Sequence, residues 1–122
     1  MANQNIGPAQ AIRFWPEPVR SVTAGQIVAA GAYLRVGTML NYPIRQFFLQ
    51  NLTDALLMFS FDGVNDHFPL PAQGFFLNDV TSNKTSISGA WYLAQGTQLY
   101  VKEIGVPTTG SVYFSVFYGV EI

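Results

Sequence analysis

From Val19 onward the apolar residues fall into short runs separated by turn-forming residues. The runs are Val22 to Val28 (interrupted by Ala24-Gly25), Ala32 to Val36, Ile44 to Gln50, Ala55 to Phe61, Phe75 to Val80, Ile87 to Leu93, Gln98 to Ile104 and Val112 to Val120. Glycine, proline, asparagine or serine bounds each run, as it does the strands of a sandwich or barrel. Alternation is clearest in the last run. There Val112, Phe114, Val116, Tyr118 and Val120 share one face and Tyr113, Ser115, Phe117 and Gly119 the other. Gln98, Tyr100 and Lys102 likewise oppose Leu99, Val101 and Glu103. The turn Pro107-Thr-Thr-Gly110 is expected to join these two runs as antiparallel neighbours, and Asn51-Leu-Thr-Asp54 marks a tight turn after the Ile44 run. Helix signal is thin: only Gly25 to Leu34 carries enough alanine, and Gly31 sits inside it. The pattern predicts an all-β fold of seven or eight strands, an antiparallel β-sandwich that is jelly-roll-like, over residues 21–122. An immunoglobulin-like order is the other sandwich to consider, without its Cys–Trp–Cys pattern.

Residues 1–20 read differently, with Pro8, Pro16 and Pro18 and few β-branched residues. Proline fixes φ and removes an amide donor, so an extended N-terminal arm is expected. Phe14, Trp15 and Pro16 form a compact aromatic anchor within it, the candidate partner-binding residues. The competing expectation is that Phe14 and Trp15 close the edge of the domain's own core.

Composition adds a reason to look for partners. The 122 residues are 49% hydrophobic and 15% aromatic but only 11% charged, against about 25% charged in typical soluble domains. A surface so poor in charge is expected to be covered by a homo-oligomer, a trimer before a dimer. The six Lys and Arg residues are scattered and the net charge is −1, so the clustered cations that bind phosphate backbones are missing and no nucleic-acid partner is expected. Cysteine is absent, which removes disulfides, zinc knuckles and thiol nucleophiles. No apolar run approaches the ~20 residues of a membrane-spanning helix, and the first residues lack the pattern of a signal peptide. Synthesis in a cytoplasm and no membrane partner are therefore expected.

Candidate chemistry is sparse. His67 is the single histidine, which leaves no histidine metal cluster, and no G-x-S-x-G turn is present. Asp62-Gly-Val-Asn-Asp66 gathers oxygen donors but lacks the length and closing Glu of an EF-hand; the Asp-Gly step predicts a hairpin turn. Asp62, Asp66, Asp79 and Glu103 are the acids available for a carboxylate pair, with nothing in the sequence to set a separation. Phosphate-cradling glycine loops are absent. Asn51-Leu-Thr53 and Asn83-Lys-Thr85 match the glycosylation pattern by chance if no secretion occurs. Trp91-Tyr92 is either core packing or a platform for a sugar ring. The expectation is a protein that is not an enzyme and takes no cofactor or metal.

The stretch Gln50-Asn-Leu-Thr-Asp-Ala55, then Phe59-Ser-Phe-Asp-Gly63, His67-Phe-Pro-Leu-Pro71 with Pro71-Ala-Gln-Gly74, and later Gly96-Thr-Gln-Leu-Tyr-Val-Lys102 and Gly110-Ser-Val-Tyr113, resembles small β-sandwich virion structural proteins of tailed bacteriophages. The likeness runs from Ile44 to Tyr118 and rests on turn motifs. It implies a capsid cement or decoration protein bridging capsomers, with the major capsid protein or other virion proteins as partners and a virion location. A neck, tail or fibre-attachment component, or a receptor- or carbohydrate-binding module, are the alternatives. The resemblance assigns no functional residue, and the arm has no counterpart in it.

Overall fold

The computed structural model describes residues 12–79 and 94–121. The described residues are mostly β, with one short helix. The elements are β1 Ile12–Pro16, β2 Arg20–Thr23, α1 Ala24–Ala30, β3 Leu34–Arg35, β4 Ile44–Asn51, β5 Leu57–Ser60, β6 Phe68–Leu70, β7 Phe75–Asp79, β8 Tyr100–Glu103 and β9 Ser111–Glu121. They form two antiparallel sheets packed against each other. One runs β1-β9-β4-β7, with β2 also on β9; the other runs β3-β8-β5-β6.

β1 and β2 are successive stretches of one strand along β9. Ile12–Pro16 pairs with Glu121–Phe117, and Arg20–Thr23 pairs with Phe114–Ser111. Between them lie Glu17, Pro18 and Val19, against only Ser115 and Val116 on β9, so one extra residue makes a β-bulge where proline interrupts the ladder. Counting β1 with β2, the described strands stand in two sheets of four, in the strand order of a jelly roll.

The extended segment expected over residues 1–20 is therefore, from Ile12 on, an edge strand of the domain's own sheet. Other expectations are corrected. The Pro107–Gly110 turn does not make β8 and β9 neighbours; they lie in different sheets. Seven residues separate Glu103 from Ser111, longer than a tight hairpin needs and enough to cross the sandwich. Ile27 and Val28 lie on α1, not on a strand. The Thr23 hydroxyl accepts from Gln26 N, the Gln26 side chain accepts from Thr23 N, and Gly31 closes the helix at φ 67°. The sequence runs also miss β6. Ile87 to Leu93, with Trp91-Tyr92, lies outside the described residues, as do the Asn83 glycosylation pattern and residues 1–11.

The inward faces make the core. Phe47, Leu49, Val112, Phe114 and Val116 from one sheet meet Leu57, Phe59 and Val101 from the other, and α1 adds Ile27. Phe47 sets its ring edge-on to Phe114, Phe76 and Phe61 at centroid distances of 5.7, 5.5 and 6.4 Å.

The turn motifs are fastened by buried polar groups. Asn51 is fully buried; its Nδ2 donates to the carbonyls of Ala55 (2.9 Å), Leu70 (3.0 Å) and Pro71 (3.1 Å), and its Oδ1 accepts from the Thr53 hydroxyl (2.6 Å). One side chain thus joins the end of β4 to the corner before β5 and to the turn after β6. Gly74 N donates to Pro71 O at 2.9 Å, closing the Pro71–Gly74 turn. Gly110 has φ 89°, and a Cβ there would stand 2.0 Å from Leu52 O, so only glycine fits.

Candidate functional site

The Asp62–Asp66 segment is the β5–β6 hairpin turn. Asp62 Oδ1 accepts from Val64 N, Asn65 N (both 2.8 Å) and the Ser60 hydroxyl (2.8 Å), while Oδ2 accepts from Asn65 Nδ2 (2.9 Å). These donors, Val64 N–H first, hold its carboxyl well below the usual carboxylate range. Asp66 takes the Tyr33 hydroxyl and the Lys102 ammonium (3.0 Å), and both lower its pKa, the hydroxyl more. Loss of water, with Asp66 adding, pushes the Tyr33 hydroxyl up to about 12. His67 lies on the surface and its Nδ1 accepts from Phe61 N at 2.9 Å, a turn contact. The two carboxylates are thus occupied by the turn's own donors and by Tyr33 and Lys102. Among the described residues no three His, Cys, Asp or Glu side chains gather as a metal site.

Among the exposed apolar groups of the described residues, two groupings are aromatic. The first surrounds the expected anchor. Trp15 is 46% exposed and lies opposite Tyr118 in the β1–β9 register, which puts both on one side of the sheet. Tyr118 stacks on Tyr42 with centroids 3.8 Å apart and planes 15° off parallel. Tyr42 and Met39 are themselves half exposed. Pro16 is exposed and points to the opposite face; the Phe14 side chain lies outside what is described, and its backbone pairs with Gly119.

A buried ion pair holds this ledge to the body. Glu17 and Arg20, with side chains 2% and 5% exposed, meet at 2.6 Å across the bulge. Arg20 also donates through Nε to Thr38 O (2.6 Å) and through Nη2 to Met39 O (2.9 Å), and Glu17 Oε2 accepts from Asn41 N (3.2 Å). The loop carrying Met39 and Tyr42 is thereby tied to the strand carrying Trp15. Gly37, at φ 68°, leaves room for Arg20, whose Cβ and Cγ would stand 2.7 Å from any Cβ placed there. Beside the bulge is a depression of about 340 Å³ lined by Pro18, Val19, Arg20, Ser21, Gly37, Thr38 and Asn41. Its one cation is already paired.

The second surface is β7. Phe75 and Leu77 are 65% and 63% exposed on the outer side of the sheet, where Phe75 packs edge-on to Phe48. Phe76 points inward and packs on Phe47 and Phe68. Of the expected anchor residues, Trp15 lies on the first surface; for β7 the sequence pattern predicts only a strand. The absence of any charge from Phe75 to Asn78 was the available signal.

Comparison with protein-family models, with characterised proteins and with solved structures gives no match. What is established is the class, an all-β jelly-roll sandwich.

Proposed function

We propose that this protein is a virion structural subunit of a tailed phage, a capsid cement or decoration protein that bridges capsomers as a homo-oligomer. The observation that carries the reading is the aromatic ledge of half-exposed Trp15 and Tyr42 with partly buried Tyr118, on a framework where buried Asn51 and the Glu17–Arg20 pair hold turns and loops. Such a framework works by burying surface on a partner, where a few rigid aromatic anchors dominate the energy. The turn-motif resemblance supplies the phage setting, and a jelly roll agrees with it. A neck or tail position uses the same chemistry in fewer copies. A receptor- or carbohydrate-binding role draws on the same ledge, since stacked tyrosines also suit a sugar ring.

The test is to produce particles with wild-type protein and with Trp15→Ala and to count copies per particle by quantitative mass spectrometry. Hundreds of copies per particle support cement, and about a dozen support a neck or tail ring. Trp15→Ala should lower incorporation at least about tenfold while leaving the isolated protein folded, because nearly half of the Trp15 surface already faces water. Absence from purified particles, or glycan-array binding lost in Trp15→Ala, would replace this reading.

A further inference from the structure

A sheet edge presents unpaired main-chain groups to any passing strand, and proteins blunt such edges with proline, charge, bulges or shortness. Among the described strands, three of the four sheet edges are blunted in that way. The β1–β2 edge carries Pro16, Pro18 and a bulge; β3 is two residues long and includes exposed Arg35; β6 is three residues long with Pro69 at its centre. β7 has five residues, no proline, no bulge against β4 and no charge before Asp79.

The register shows what β7 offers. Asn51 N donates to Gly74 O, in line with the β4–β7 pairing. Bonded pairs alternate along an antiparallel ladder, so Leu49–Phe76 and Phe47–Asn78 are bonded pairs. The N–H and C=O groups of Phe75, Leu77 and Asp79 therefore point away from β4, and no described strand takes them.

We infer that β7 pairs antiparallel with β7 of a second copy about a two-fold axis at Leu77. In that register Leu77 faces Leu77 of the copy, and Phe75 faces Asp79 at both ends. All three pairs are then of the bonded kind, so every outward main-chain group of both strands finds a partner. The charges agree with it: the two Asp79 residues sit four positions apart, about 13 Å, beyond the Debye length of ~10 Å at 0.1 M salt. The strips of Phe75 and Leu77 become one apolar band across a continuous sheet. A two-fold interface requires this self-complementarity. The outcome is a dimer where composition suggested a trimer, and it is independent of where the protein works.

Sedimentation velocity of the full chain between about 1 and 100 µM tests it, with Leu77→Pro, Leu77→Lys and Val64→Lys. Leu77 gives no N–H to β4, so proline there leaves the ladder intact and removes a donor from the open edge. Lysine keeps the backbone and adds charge to the edge. Val64, 80% exposed in the β5–β6 turn, is the control. The wild type and Val64→Lys should dimerise alike, and both Leu77 variants should weaken dimerisation at least about tenfold with melting temperatures close to wild type. Hydrogen exchange at Phe75, Leu77 and Asp79 should slow as the wild type is concentrated. If Leu77→Pro unfolds, Leu77→Lys and the exchange data decide. A wild type that stays monomeric, including one whose Leu77 amide is protected at every concentration because residues 80–93 take the edge, overturns the proposal. So does an oligomer, trimeric or otherwise, that both Leu77 variants leave intact.

Discussion

Asn51 and Asp54 stand three positions apart in the sequence and do different work. Asn51 is buried and ties three neighbouring segments together, whereas Asp54 is exposed and caps a distant loop. The Asp54 carboxylate accepts from the Thr108 hydroxyl, from Thr108 N (2.7 Å) and from Thr109 N (3.3 Å). These donors, the hydroxyl foremost, lower its pKa to about 2. The folded value lies below the unfolded one of about 3.9, so the stability Asp54 contributes is complete above about pH 4 and is lost as pH falls through about 2. Asp54→Asn should therefore be less stable than wild type at neutral pH, and the gap between their urea midpoints should close between about pH 4 and pH 2. A gap of constant size would contradict the assignment. That both residues sit in a turn was legible, because the polar cluster Asn51-Leu-Thr-Asp54 separates two apolar runs. Their long-range partners were not: nothing in a sequence places Thr108 beside Asp54, or Leu70 O beside Asn51.

Among the elements, alternation served well wherever a strand buries one face. It marks β3, β8 and β9, while turn-bounded apolar runs mark β4, β5 and β7. It failed where local rules compete. Thr23 and Gln26 at capping-box spacing begin α1, yet the apolar Ile27-Val28 beside Val22 reads as strand. β6 is too short and too proline-marked to register as a run. β1 and β2 are hidden by the prolines at their bulge, so the segment reads as an arm, and nothing in the sequence pairs Glu17 with Arg20. They are a buried pair, and that predicts how the bulge fails. Arg20→Met leaves the Glu17 carboxylate buried without its partner and should cost about 3–5 kcal/mol in urea denaturation. Glu17→Leu combined with Arg20→Met leaves no orphaned charge and should cost less than Arg20→Met alone. Losses that simply add would show that the two side chains act independently.

For the whole molecule, the sandwich class follows from eight apolar runs, but which strands adjoin does not, because period-two alternation marks the buried face and never the neighbour. Sequence order misleads most at β9, which follows β8 along the chain and pairs instead with β1, β2 and β4. This position has a consequence for biosynthesis. As the chain leaves the ribosome, β1, β2 and β4 emerge long before the strand that lies between them, so the larger sheet is a pair of flanks around a gap until Ser111–Glu121 arrives. Until then Val22, Phe47 and Leu49 lack Val112, Phe114 and Val116, the β9 side chains of the same core. Nascent chains arrested before Ser111 should be digested readily by protease while still tethered. Chains arrested with β9 fully outside the exit tunnel should resist. The arrival of β9 is then the event that commits the sandwich to its fold.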